Sequence, residues 1–186
     1  MLTLPRILLA DDDETFREPL AELLRRKGCE CVTASSALQA MEALKSGDFD
    51  LLISDIHMPG NTHLELIRKT PFICSGLPII LLTGFPAVET ASAAVQLPVT
   101  AYLTKPLNFD ELWQHASQAI ARRREYLAVV AQRKRLVEWT TELEQIEVLM
   151  QSNRGKMDSS LTDAYTAISV RNALASLIDL KRFTDK

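Results

Sequence analysis

Five short apolar runs recur along the first part of the chain: Arg6–Ala10 (RILLA), Cys29–Ala34, Leu51–Ser54 (LLIS), Pro78–Leu82 (PIILL) and Val99–Leu103. Segments with helical spacing separate them. Over residues 15–27 the apolar positions are Phe16, Leu20, Leu23 and Leu24, the period of an amphipathic helix. Pro19 is tolerable only in a first turn, so this helix is expected to start near Phe16 and to stop at Gly28. Ser35 or Ser36 is expected to cap a second helix through Lys45, closed by Gly47. Short helices are expected at His63–Lys69 and Ala87–Val95, and a last one from Asn108 or Asp110. Such alternation calls for a parallel sheet with helices on both faces. The near-continuous apolar runs at 7–9, 51–53 and 79–82 suit strands buried on both sides.

Sheets of this kind bind ligands at the carboxyl ends of their strands, where the strand order switches. The first run ends in Asp11, Asp12 and Asp13, the third in Asp55, the fourth in Thr83, and the fifth in Thr104, Lys105 and Pro106. Carboxylates crowded on one rim repel each other, and a cation is the usual remedy. Hard oxygen donors at a solvent-open rim suit Mg²⁺, which keeps several waters and needs few protein ligands. Lys105 adds a mobile positive charge for a carboxylate or phosphoryl oxygen, and Thr83 adds a hydroxyl. The chain shows no serine or cysteine nucleophile beside a base and no glycine-rich phosphate loop. The nucleophile that remains is a carboxylate. An aspartate beside Mg²⁺ and a lysine is equipped to form an acyl phosphate.

The segments ILLADDDE, LLISDIHMPG, IILLTG and AYLTKP follow in this order, with 43 residues from Asp12 to Asp55. Together they resemble a bacterial two-component response regulator receiver domain. The resemblance implies a flavodoxin-like (βα)5 doubly wound parallel sheet of order 2-1-3-4-5, in the cytoplasm. It implies phosphotransfer from a sensor histidine kinase or phosphotransfer protein, and no enzyme activity beyond self-catalysed phosphotransfer and autodephosphorylation. Asp55 matches the phosphoacceptor, and Asp11 and Asp12 the acidic pair that holds Mg²⁺ together with Asp55. His57 matches the position whose backbone carbonyl completes the metal site. Thr83 matches the hydroxyl that binds the phosphoryl group, Lys105 the family's lysine, and Tyr102 its switch aromatic. Pro106 follows Lys105 where the family has a cis bond. Phosphorylation is then expected to draw Thr83 inward and let Tyr102 rotate, altering the face around the fourth predicted helix, the fifth strand and the last helix. Two departures stand out. Thr62 and His63 replace an acidic residue or Asn followed by Gly, so an altered loop geometry is expected beside the site. Phe85 is a bulky residue expected to shield an acyl phosphate from water.

Net charge divides the chain. Residues 1–121 carry −6 and residues 122–186 carry +3. We therefore expect a receiver domain at 1–121 and a helical, coiled-coil hairpin extension at 122–186, continuous with the last receiver helix. No Gly or Pro interrupts residues 109–153, and Leu136, Trp139, Leu143, Ile146 and Met150 fall at alternating steps of three and four. After a loop at 152–160, residues 161–183 are again amphipathic. One such hairpin cannot bury both stripes, so a homodimer through the C-terminal helices is expected, with an output protein that the sequence does not identify. The alternative is a transcription regulator with a divergent DNA-binding tail. Too few residues follow the long helix for a helix-turn-helix domain, so DNA is not expected as a partner. No apolar run reaches about eighteen residues, and the acidic N-terminus does not suit a signal peptide, so no membrane insertion is expected. Cys29, Cys31 and Cys74 are expected as reduced apolar fillers, with Cys29 and Cys31 on opposite faces of a sheet.

Overall fold

The structure is a computed structural model that describes residues 3–59, 61, 64–84 and 99–153. It divides into two units between Val129 and Val130. The helix expected at 87–95, the hairpin's second arm, Thr62, His63 and Phe85 lie outside the described residues.

The first unit holds a five-stranded sheet: β1 (Arg6–Ala10), β2 (Glu30–Ala34), β3 (Leu51–Asp55), β4 (Ile79–Thr83) and β5 (Val99–Thr104). All pairings are parallel, in the order β2-β1-β3-β4-β5. This is the flavodoxin-like arrangement expected. β3 and β4 are buried throughout, whereas the edge strands β2 and β5 mix buried, partly exposed and exposed positions. The helices are α1 (Glu14–Arg26), α2 (Ala37–Ser46), α3 (Glu65–Ile73) and α4 (Phe109–Asn153).

Each face of the sheet builds its own core. Leu8, Leu52, Ile79 and Leu81 pack with Ala40 and Leu44 of α2 and Leu66 and Ile67 of α3. Ile7, Leu9, Ile53 and Ile80 pack with Leu20 and Leu24 of α1 and Leu112 and Ala116 of α4. Cys29 and Cys31 both join this second core, which corrects the expectation of opposite faces. The side-chain period of a strand is two, so positions two apart return to the same face.

The start of α1 and the end of α3 differ from expectation, whereas Gly28 and Ser36 act as expected. α1 starts at Glu14, because the Asp13 side chain accepts the Thr15 N–H and the Asp13 carbonyl accepts those of Phe16 and Arg17. Pro19 therefore lies inside the helix rather than in its first turn. Gly28 follows with a φ of +85°, the left-handed conformation that ends helices. α2 is capped by Ser36, whose side chain accepts the Gln39 N–H. α3 runs through Pro71 to Ile73, four residues beyond the expected end at Lys69.

In the second unit, α4 exposes Leu136, Val137, Leu143 and Val148, with Trp139 and Ile146 half-buried. Among the described residues no helix is long and apolar enough to cross a membrane.

Candidate functional site

The strand order reverses between β1 and β3, and the carboxylates lie at the ends of these two strands. Asp11 directly follows β1, its N–H donating to the Ala34 carbonyl at 3.0 Å. Asp55 is itself the last residue of β3, in register with Leu82. A strand built for the core thus carries a carboxylate at its tip. Asp11, Asp12 and Asp55 each offer a carboxylate oxygen within 4.8 Å of the others. Asp11 and Asp55 are buried, and Asp12 is exposed.

Lys105 follows β5, and its N–H donates to the Thr83 carbonyl at 2.7 Å. This bond ties the backbone of Lys105 to the end of β4, and the peptide bond to Pro106 is cis. The ammonium lies 2.7 Å from Asp11 Oδ2 and 3.3 Å from Asp55 Oδ2. Burial pushes the Asp11 carboxyl above its ordinary value, against the hydrogen bonds from Lys105 and the Asp13 N–H. Burial works to lower the Lys105 ammonium, but the hydrogen bond and charge of Asp11, together with those of Asp55, hold it above its ordinary value.

The three consecutive aspartates separate into two roles. Asp13 accepts from both the N–H and the hydroxyl of Thr15, and that hydroxyl holds its carboxyl below the ordinary value. It is a helix cap rather than part of the cluster. Asp11, Asp12, Asp55 and Lys105 together carry a formal charge of −2. All three carboxylates are hard oxygen donors, one of them open to water. The donor set and its uncompensated charge fit a divalent cation such as Mg²⁺.

The remaining candidates surround this cluster. His57 is exposed, and its backbone N–H donates to Asp55 Oδ1 at 3.3 Å, which holds the loop close to the carboxylate. Thr83 is fully buried at the end of β4, beside Thr104 in register. Tyr102 is half-buried in β5 and packs against the core on the α2–α3 side. Asn61 is a residue that the sequence reading missed. It is buried, and its side-chain amide donates to the Asp55 and Ile56 carbonyls at 3.2 and 2.9 Å. Its Oδ1 accepts the Leu66 N–H of α3 at 3.1 Å. The available signal was its place in a Met-Pro-Gly-Asn turn, where Asn is favoured for its backbone-bonding side chain.

Known proteins share this fold. The response regulator receiver domain family profile matches residues 7–117. The transcriptional regulatory protein ZraR of Klebsiella oxytoca is 34% identical over 118 residues, which are 63% of this chain and 27% of that protein. The C4-dicarboxylate transport transcriptional regulatory protein DctD of Rhizobium meliloti is 34% identical over 124 residues, 67% of this chain and 27% of that protein. The chain therefore spans only about a quarter of these relatives' length. Both are transcriptional regulatory proteins, so they give no support to the expectation that DNA is not a partner. Among solved structures, a receiver domain from an HD domain-containing protein of Pseudomonas fluorescens Pf-5 is 30% identical with a TM-score of 0.62. That match covers 66% of this chain and 99% of the other. A CheY-like receiver domain protein from Methanospirillum hungatei is 25% identical with a TM-score of 0.64, covering 67% and 99%.

Proposed function

The chain belongs to the response regulator receiver domain family, and on that premise we propose that Asp55 accepts a phosphoryl group from a phosphohistidine of a sensor histidine kinase or phosphotransfer protein. One observation carries this reading. The Lys105 ammonium bridges the buried Asp11 and Asp55 carboxylates inside a three-carboxylate cluster at the switch of strand order. Phosphoryl transfer asks a protein for positioning and charge neutralisation more than for covalent help. The end of β3 fixes the attacking carboxylate, and Lys105 stands ready to neutralise charge on the incoming oxygens. Asp11, Asp12, Asp55 and the His57 carbonyl would hold Mg²⁺. That ion would supply the positive charge that lets a carboxylate approach a phosphoryl group. The chain takes up one phosphoryl group by its own groups and loses it by autodephosphorylation, without turnover as a conventional enzyme.

Thr83 and Tyr102 form the switch in this proposal. The Thr83 hydroxyl bonds the new phosphoryl oxygens, and Tyr102, in register with Leu81 on β4, responds by rotating. The output acts through the extension at 122–186, which forms a homodimer and contacts an output protein. Transcription control through DNA contact is the second reading, favoured by the naming of ZraR and DctD. A gel shift on genomic fragments over a salt series separates the two, because phosphate contacts weaken steeply with salt.

The central test measures label incorporation from radiolabelled acetyl phosphate. The wild type should label with Mg²⁺ and fail with excess chelator, and Asp55→Asn should not label at all. Labelling of Asp55→Asn at the wild-type rate would overturn the assignment.

A further inference from the structure

The Lys105 ammonium has a third neighbour besides its two carboxylates. The Phe16 ring lies against it, with 4.2 Å between Nζ and the ring centroid. We propose that Phe16 is a positioning residue for phosphoryl transfer, its ring face holding the Lys105 ammonium over Asp55. The inference rests on the reading of Asp55 as phosphoacceptor.

An aromatic face carries partial negative charge and attracts an ammonium, most strongly where water is scarce. The Lys105 side chain is only 19% exposed, so the attraction acts in a largely dry place. Phe16 also differs in kind from the other two contacts. Both carboxylates change their charge environment when a phosphoryl group arrives, whereas the ring does not. It offers Lys105 one fixed contact throughout the reaction. The backbone around Phe16 suits this role. It lies in the first turn of α1, where its N–H donates to the Asp13 carbonyl at 3.2 Å. The adjacent Arg17 donates to the Asp11 carbonyl at 2.8 Å. The same turn therefore carries the ring and grips the segment that bears Asp11. The competing role is plain packing, because Phe16 also lies against the core on the α1 side of the sheet. A leucine would fill that space without offering a negative face.

The experiment compares Phe16→Leu and Phe16→Tyr, each alone and combined with Lys105→Met. Labelling from acetyl phosphate in Mg²⁺ is followed, with Asp55→Asn as the control. Unfolding midpoints are measured in parallel without added metal. Phe16→Leu should slow labelling about five- to tenfold, and Phe16→Tyr should stay within about twofold of wild type. With Lys105→Met in place, Phe16→Leu should bring no further slowing and a smaller fall in unfolding midpoint. Equal rates for the Leu and Tyr variants, or an unchanged effect of Phe16→Leu in the Lys105→Met background, would reduce Phe16 to packing. A wild type that does not label overturns the assignment of Asp55 and this inference together. A wild type that labels through Asp55 but is untouched by Phe16→Leu overturns this inference alone.

Discussion

Asn61 shows how one side chain can organise a loop beside a reactive carboxylate. Its amide spans the carbonyls of Asp55 and Ile56 on one side and the first turn of α3 on the other. α3 needs that bond. Its N-cap position is Leu64, a left-handed residue that offers no side-chain cap, so the Leu66 N–H would otherwise lie buried without an acceptor. Asn61→Ala leaves the Ile56 carbonyl and the Leu66 N–H short of partners, while the Asp55 carbonyl keeps the Ser54 hydroxyl at 2.9 Å, and unmade buried hydrogen bonds cost about 1–3 kcal/mol. Denaturant unfolding should show a loss in that range, with labelling slowed as Asp55 loses its support. A loss under about 0.5 kcal/mol, no more than a surface change, would deny the role. The short sequence motifs pointed to Asp55, Asp11, Asp12 and Lys105 because chemistry at strand ends depends on residue type. They did not point to Asn61, whose partners are backbone groups that any sequence supplies. Cys31 offers a test remote from the site. Burial pushes its thiol from 9.0 up to about 11. A folded-state value above the unfolded one adds stability that is complete below about pH 9 and lost as pH rises through about 11. The shift corresponds to roughly 3 kcal/mol. Cys31→Ala should flatten the alkaline limb of a stability–pH curve, and an unchanged limb would show that the thiol does not titrate there.

At the scale of elements, the strands were legible, as were the Gly28 stop and the Ser36 cap, but the start of α1 and the end of α3 were not. Continuous apolar runs identify strands buried on both faces, and β1, β3 and β4 lie within a residue of expectation. Helix starts depend on which oxygen captures the first free N–H groups. Asp13 captures them and starts α1 at Glu14, two residues ahead of the expected Phe16, which places Pro19 in the second turn. The expected rule was sound, since proline removes a donor and its ring presses on the carbonyl four residues back. Here the cap and the buried face of Leu20, Ala21 and Leu24 outweigh that cost. Pro19 itself is exposed, so its ring contributes little packing. Pro19→Ala should therefore stabilise the chain by about 1–2 kcal/mol, less than the full helix-interior penalty because the freed unfolded chain offsets part of it. A rise in unfolding midpoint is the expected reading, and a fall would mean that Pro19 serves the packing of α1. Pro71 in α3 poses the same conflict, and that helix likewise outruns its expected end.

For the molecule as a whole, the question is how a change at Asp55 reaches a partner. The apolar positions along 129–150 keep a heptad spacing, and the structure leaves several of them in water. Leu136 and Leu143 are 47% and 46% exposed on α4. Single exposed leucines are ordinary, but a row of apolar residues at alternating steps of three and four, with Leu136 and Leu143 seven apart in it, is the pattern of a two-helix seam. Burying a leucine contributes about 1.5–3 kcal/mol. About half of each leucine is still open to water, so two leucines from each of two chains would contribute on the order of 4 kcal/mol, a factor of about 10³ in dimer affinity. Leu136→Asp with Leu143→Asp removes that contribution and sets like charges against each other across the seam. Sedimentation equilibrium should find a dimer for the wild type and a monomer for the double variant at the same concentration, with labelling of Asp55 intact. Adding beryllofluoride and Mg²⁺ should shift the wild-type dissociation constant and leave the double variant monomeric. A double variant that sediments as the wild type does would place the contact elsewhere. A wild-type constant indifferent to the phosphoryl mimic would separate dimerisation from the switch, making the extension a fixed tether rather than an output.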